Sequence, residues 1–99
     1  MAGVLAAKAT PSLIPLAHPL ALSSIDITFD LDPAAGTIEI HAIVRCEGRT
    51  GVEMEAMTAC AIAALTIYDM CKSAEKGITI DNLQLVRKSG GKSGTWERG

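Results

Sequence analysis

The alternation of apolar and polar positions predicts two β-strands near the middle of the chain. Residues 22–31 (LSSIDITFDL) and 37–48 (TIEIHAIVRCEG) both alternate with a period of two, which is typical of strands with one buried face. The DPAAG segment between them, residues 32–36, predicts a turn, so the two strands should form an antiparallel hairpin. The side chains expected to face the core are Ile25, Ile27, Phe29, Leu31, Ile38, Ile40, Ala42, Val44 and Cys46.

Two helices are predicted around this hairpin. Residues 2–9 (AGVLAAKA) have helical composition and should end before Pro11, and the proline-rich residues 11–20 should form a stiff extended loop. The second helix should begin at the capping box formed by Thr50 and Glu53. It should run to about Lys76, with Gly77 as its stop signal, and it is apolar nearly all round. Such a helix should be buried on more than one side.

Residues 78–88 (ITIDNLQLVRK) predict a third strand, which completes an order of helix, strand, strand, helix, strand. This order is the ferredoxin-like βαββαβ pattern without its first strand. The fold expected is therefore α+β, an antiparallel sheet with helices packed on one face. The first strand is central in that fold, so either the chain is a fragment or another partner supplies the strand.

Composition narrows the class of protein. The chain of 99 residues predicts a single domain, with residues 88–99 as a flexible Gly/Lys-rich tail. Aromatic residues make up only 3%, and a core of small apolar side chains suggests support from neighbouring subunits. The net charge of −2 argues against a nucleic-acid partner. The second helix is interrupted by Thr and bounded by acidic residues, so no membrane partner is expected.

The three cysteines, two of them in the second helix, predict a reduced cytoplasmic protein with buried thiols. Metal-ligand spacing is absent from the sequence, which predicts neither a metal nor another cofactor.

The GGKSG segment, residues 90–94, resembles the end of a phosphate-binding P-loop. A P-loop requires a glycine five positions before Gly91, where this chain has Val86, and it requires a following helix. The P-loop interpretation therefore fails. Lys88 and Lys92 still suit a phosphate, and the alternative is a solvated tail.

Three further positions are candidates for chemistry. His18 stands before a proline that holds its backbone extended, so it is either an aimed imidazole or an ordinary loop histidine. Asp69 and Lys72 are three residues apart on one helix face. They form either a simple ion pair or, in dry surroundings, a pair tuned for proton transfer.

The same helix carries acidic residues at its other end. Glu53 is explained by the capping box, whereas Glu55 is not. A helix rise of 1.5 Å per residue separates Glu55 from Asp69 by roughly 21 Å. If both ends serve one small-molecule site, they must come from two subunits, which predicts a site at an oligomer interface.

Four stretches, LIPLAHPL, TGVEMEAMTA, AALTIYDMCK and KSGGKSG, resemble the molybdenum-cofactor biosynthesis protein C family, the cyclic pyranopterin monophosphate synthases. The resemblance covers essentially the whole chain. It implies conversion of 3′,8-cyclo-7,8-dihydro-GTP to cyclic pyranopterin monophosphate with release of pyrophosphate, a lyase reaction of molybdopterin synthesis. It also implies a ferredoxin-like homohexamer, a trimer of dimers, with the site between subunits.

The resemblance also implies roles for individual residues. Lys72 would donate a proton and Asp69 would orient it, and His18 would bind or protonate the purine-derived part of the substrate. The base and ribose pocket would be lined by Glu53, Met54 and Glu55. The phosphates and the departing pyrophosphate would be held by Lys88 and Lys92.

Two departures from the family pattern bear on competence. Ala17 stands where the family usually has Cys, and the family carries a longer N-terminal part that includes a catalytic lysine. A catalytically inactive truncated form that retains ligand binding and oligomerisation is therefore the alternative. A small structural interaction module is a third interpretation, which the four motifs disfavour.

Overall fold

A computed structural model describes residues 1–14, 21–47, 51–90 and 94–98. Its α-helices are α1 (Ala2–Lys8), α2 (Thr10–Leu13) and α3 (Glu53–Cys71). The strands, in chain order, are β1 (Leu22–Asp32), β2 (Thr37–Cys46), β3 (Arg87–Lys88) and β4 (Trp96–Glu97). The α+β class is confirmed: α1 and α3 pack on each other and on the β1–β2 pair, consistent with a ferredoxin-like fold.

The predicted hairpin is confirmed. β1 and β2 pair antiparallel with Thr28 opposite His41 and Asp32 opposite Thr37. The turn closes through a 2.8 Å hydrogen bond from the Gly36 amide to the Asp32 carbonyl oxygen. Gly36 has φ +68°, a left-handed conformation that glycine adopts without strain, so the turn has a clear chemical basis.

The core is built from small side chains where α1 crosses α3. Ala6, Ala7, Ala59 and Ala63 are each at most 6% exposed. Gly3 lies at the same crossing, where a side chain would meet the Ala59 carbonyl oxygen at 2.9 Å. Small residues allow this close approach of the two backbones.

The hairpin face toward the helices is covered only in part. Val44 is buried, whereas Phe29, Leu31 and Ile38, nearer the turn, are 47%, 68% and 45% exposed. The helices therefore do not cover the turn end of this face. We call Phe29, Leu31 and Ile38 the apolar hairpin tip.

Helix α3 is shorter and more exposed than predicted. It ends at Cys71 rather than near Lys76, because the Ala74 amide donates to the Cys71 carbonyl oxygen in an i,i+3 turn and residues 72–77 are all exposed. One face is buried, at Glu55, Thr58, Ala59 and Ala63, whereas Leu65 is 53% exposed. Burial on more than one side is thus not found in the single chain.

The helix is also long and apolar enough to cross a membrane by length and composition alone. Core helices of soluble proteins pass the same test, and α3 packs against α1 and β2.

The predicted third strand over 78–88 is wrong except at Arg87–Lys88. Asn82 has φ 54°, which interrupts an extended backbone. Within the described part of the chain, residues 78–86 pair with no strand, and Ile80, Leu83 and Val86 are 44–57% exposed. Apolar alternation alone does not make a strand without a hydrogen-bonding neighbour.

The predicted first helix is confirmed as α1, whereas the extended loop predicted to follow it is wrong at its start. Helix α1 ends at Lys8, and Pro11 lies in the first turn of α2, where its missing amide hydrogen costs nothing. Residues 11–13 are therefore helical rather than extended, and residues 15–20 lie outside the described part.

Candidate active site

The first turn of α3 carries three of the predicted site residues, Glu53, Met54 and Glu55. The helix begins at Glu53, and its N-cap is Val52, which makes no side-chain capping bond. The capping-box explanation of Glu53 is therefore wrong, since Glu53 occupies the first position of the helix rather than the third. Thr50 lies outside the described residues. The Glu53 side chain is thus available for another partner.

That partner is Lys88, from strand β3. The Lys88 Nζ lies 3.6 Å from Glu53 Oε1, and the two side chains are 17% and 34% exposed. The second carboxylate oxygen, Glu53 Oε2, is buried and has no hydrogen-bond partner within the described part of the chain. The fold therefore brings Lys88, which was predicted to bind phosphate, to the N-terminal end of α3.

The two residues that follow differ in exposure. Met54 is 39% exposed, whereas Glu55 is only 4% exposed. Glutamate is rarely buried to this degree unless it is paired. No sequence pattern explains Glu55 as a structural residue, and its burial distinguishes it from a solvated surface residue.

Strand β4 folds the end of the chain back onto β3. Lys88 pairs with Trp96 and Arg87 with Glu97, and the Arg87 Nε lies 3.3 Å from Glu97 Oε1. Arg98 secures the pair further: its amide donates to the Val86 carbonyl oxygen at 2.7 Å. The Arg98 side chain donates to the Leu85 carbonyl oxygen at 2.9 Å and lies 5.4 Å from the Trp96 ring centroid.

These contacts form what we call the C-terminal clasp, residues 85–88 with 96–98. Sequence reasoning missed the clasp and treated residues 88–99 as a flexible tail. The glycine-rich segment lies between its two strands, with Gly90 at φ 81° and Gly94 at φ 68°. Residues 94–98, which follow the segment, include β4 rather than the helix a P-loop needs. Lys92 itself lies outside the described residues, as does His18.

The other end of α3 carries the Asp69–Lys72 pair. The Lys72 Nζ donates to Asp69 Oδ1 at 2.9 Å, so the predicted i,i+3 contact is present. The side chains are 72% exposed for Asp69 and 56% for Lys72. The dry surroundings expected for this pair are therefore not found in the single chain, where an exposed pair contributes at most about 1 kcal/mol to stability.

The two groups of site residues lie far apart within one chain. Glu55 and Asp69 belong to the same uninterrupted helix, so the helical rise separates them by roughly 21 Å. The described structure brings Glu53 and Lys88 together and keeps both away from the Asp69–Lys72 pair.

The cysteine thiols are not all buried, as had been predicted. Cys71 is exposed, Cys60 is half-buried, and none of the three cysteines, all of which are described, forms a disulfide. The Cys60 Sγ donates to the Ile40 carbonyl oxygen at 3.7 Å, where α3 packs on β2. Burial raises the pKa of the Cys60 thiol above its ordinary value of 9.0, so this thiol is a core contact rather than a nucleophile.

Over residues 1–14, 21–47, 51–90 and 94–98, His, Cys, Asp and Glu side chains form no group of three or more that could hold a metal ion.

A known protein family matches most of this chain, including the segments that carry most of the candidate site residues. Residues 1–91 match the MoaC family, which covers α1, the hairpin, α3 and β3. The chain belongs to the MoaC family. The match ends before β4, so part of the C-terminal clasp lies beyond it.

Curated relatives in the MoaC family are close in sequence. The cyclic pyranopterin monophosphate synthase of Geobacter sulfurreducens is 63% identical over 98 residues, which are 99% of this chain and 61% of the relative. The synthases of Geobacter metallireducens and Pelobacter propionicus are 61% and 57% identical over the same shares. The chain thus spans about three fifths of the length of the curated relatives it matches.

Proposed function

We propose that this chain takes part in molybdenum cofactor biosynthesis as a cyclic pyranopterin monophosphate synthase. The reaction is conversion of 3′,8-cyclo-7,8-dihydro-GTP to cyclic pyranopterin monophosphate with release of pyrophosphate. The observation that carries this proposal is the family match over residues 1–91, together with relatives of that name at 57–63% identity.

The Lys88 region supports binding of the phosphate end of such a substrate. The N-terminus of a helix presents unpaired amide groups and a partial positive charge, which favour an anion. Lys88 brings an ammonium group beside the start of α3, where its ion pair with Glu53 offsets one of the two carboxylates of the first turn. Lys92, from the same glycine-rich segment, would share the charge of the departing pyrophosphate.

The Asp69–Lys72 pair would supply the proton-transfer group. An ammonium is a proton donor with three N–H bonds, and Asp69 orients it through the 2.9 Å hydrogen bond. His18 would act on the purine-derived part of the substrate. Glu53, Met54 and Glu55 would line the base and ribose pocket.

The complete site would form between subunits. One substrate cannot reach both ends of α3 within a chain, because they are roughly 21 Å apart. An interface would also cover the exposed side of α3 and provide the dry surroundings that the Asp69–Lys72 pair lacks in the single chain. The assembly we propose is a homohexamer built as a trimer of dimers.

Other properties follow from the same proposal. The chain would form one cytoplasmic domain with a small-molecule substrate. It would engage neither nucleic acid nor membrane.

The decisive experiment is turnover with the cyclised GTP derivative. The 99-residue chain is compared with a form extended by the N-terminal part that the family resemblance implies, because the chain spans only about three fifths of its relatives. Pyranopterin product and pyrophosphate are measured in the same samples. Absence of product from both forms contradicts the proposed reaction, whereas substrate binding without product in the short chain alone supports an inactive truncated form.

The proposed role of Lys72 is tested in the competent form. Lys72→Ala should abolish product formation with little change in assembly measured by size-exclusion chromatography with light scattering. Lys76→Ala is the matched control, because Lys76 is an exposed lysine four residues later with no assigned role. Normal turnover by Lys72→Ala would refute the role as proton donor.

A further inference from the structure

Gly51 lies directly against the Glu53–Lys88 pair. A Cβ added at Gly51 would be 2.7 Å from Glu53 Oε2 and 3.8 Å from Lys88 Nζ. The first distance is too short for two non-bonded atoms, whereas the second is ordinary van der Waals contact. The buried Glu53 Oε2 therefore occupies the space that a side chain at position 51 would fill.

The backbone gives no reason for glycine at this position. Gly51 is not among the described residues with positive φ, which are Gly36, Asn82, Gly90 and Gly94. The three atoms nearest to its added Cβ belong to the side chains of Glu53 and Lys88. At Gly3, in contrast, an added Cβ would meet the backbone oxygen of Ala59. A side chain at Gly3 would thus disturb helix packing, whereas a side chain at Gly51 would displace the Glu53 carboxylate.

We infer that Gly51 is a positioning residue: because it has no side chain, the Glu53 carboxylate can occupy the space beside it and lie against Lys88. The importance of that placement for catalysis rests on the function proposed above. The physical link between Gly51, Glu53 and Lys88 does not, because it follows from distances alone.

The inference predicts how a methyl group at position 51 acts. In Gly51→Ala the Glu53 carboxylate must move, and it can do so cheaply because Oε2 is the end of a flexible side chain. Lys88 Nζ is not displaced directly, since its distance to the added carbon is already acceptable. The substitution therefore loosens the ion pair while the fold stays intact.

The experiment measures the reactivity of the Lys88 amine in the full 99-residue chain. Purified variants are treated with a limiting amount of an acylating reagent, and labelling of each lysine is followed over time by peptide mass spectrometry. Lys72, at the far end of α3, is the internal reference in every sample. The variants are Gly51→Ala, Glu53→Ala, the double variant, and Gly77→Ala as a matched control whose added Cβ would approach only the Glu75 side chain.

In the double-mutant cycle, the effect of Gly51→Ala on Lys88 labelling should depend on the presence of Glu53. Gly51→Ala and Glu53→Ala should each raise Lys88 labelling roughly two- to fivefold, the effect of releasing a partly exposed ion pair. Adding Gly51→Ala to Glu53→Ala should change nothing further, because the group that the methyl displaces is gone. Gly77→Ala and the Lys72 reference should stay at the wild-type rate.

Three outcomes would overturn the inference. One is unchanged Lys88 labelling in Gly51→Ala. Another is an effect of Gly51→Ala that persists in the Glu53→Ala background, which would place its cause in the backbone. The third is a melting temperature of Gly51→Ala that falls below that of Glu53→Ala, because loosening the ion pair should cost no more stability than removing it. None of these measurements uses turnover, so failure of the proposed reaction would leave the result interpretable.

Discussion

The contact between α1 and α3 makes a sharp prediction for Gly3→Ala. An added Cβ would lie 2.5 Å from Ile27 Cδ1, 2.9 Å from the Ala59 carbonyl oxygen and 3.4 Å from Ala63 Cβ. The Ile27 methyl can rotate away, but the Ala59 oxygen is backbone within α3. The two helices must therefore separate, and α3 carries predicted site residues at both of its ends.

The magnitude follows from two opposing effects. Overpacking of a filled core costs typically 1–3 kcal/mol, whereas replacing glycine by alanine within a helix gains about 1 kcal/mol. The clash with backbone places the packing cost toward the upper part of its range. We expect a net loss of about 1–2 kcal/mol in the free energy of unfolding, which lowers the melting temperature by roughly 4–8 °C per kcal/mol in a domain of this size.

The assay is urea unfolding followed by circular dichroism at one fixed protein concentration, with Gly77→Ala as the control. Gly77 is exposed, so the same chemical change there should alter stability by less than about 0.5 kcal/mol. If Gly3→Ala is as stable as wild type, and its free energy of unfolding depends on urea in the same way, then close approach of the helices does not require glycine at this crossing.

Two further predictions concern the thiols and the C-terminal clasp. Because burial raises the pKa of Cys60, the folded state keeps a proton that the unfolded state loses above about pH 9. The stability that this proton contributes is present below that pH and is lost as the pH rises through the folded-state pKa. The difference in unfolding free energy between wild type and Cys60→Ala should therefore narrow from pH 8 to pH 10, and a constant difference would contradict the burial argument. Arg98→Ala removes the bond to the Leu85 carbonyl oxygen and the contact with Trp96, so amide hydrogen exchange in residues 85–88 should accelerate while global stability changes by less than about 1 kcal/mol. Arg45→Ala, which breaks an exposed pair on the hairpin, is the control, and equal exchange in both variants would refute the role of Arg98 in the clasp.

The hairpin was predictable from sequence because its strands and its turn are specified by residues that are close together in the chain. Strict alternation assigns the faces of both strands, and the turn segment between them sets the register. The position of α3 was predictable for the same reason, since its apolar composition persists over 19 residues. The i,i+3 contact between Asp69 and Lys72 needed only helical spacing.

The contacts that sequence reasoning missed join distant segments. Glu53 looked like a capping residue because Thr50 precedes it at the right spacing, but its partner, Lys88, is 35 positions further along the chain. The space at Gly51 exists only once β3 has brought Lys88 to α3. The prediction of a strand over 78–88 was wrong because alternation indicates which side chains share a face, but not whether a neighbouring strand is present to form hydrogen bonds. Asn82 gave only a weak signal that the extended backbone is interrupted.

The apolar hairpin tip has a consequence for how the stability of this protein depends on its concentration. Phe29, Leu31 and Ile38 leave 45–68% of their surface in water in the single chain, so association that covers them gains hydrophobic free energy. Folding and assembly then share one equilibrium, and the unfolding midpoint rises with protomer concentration. For a dimer, each tenfold dilution lowers the free energy of unfolding by about 1.4 kcal/mol of dimer, which is comparable to the cost of a core substitution such as Gly3→Ala.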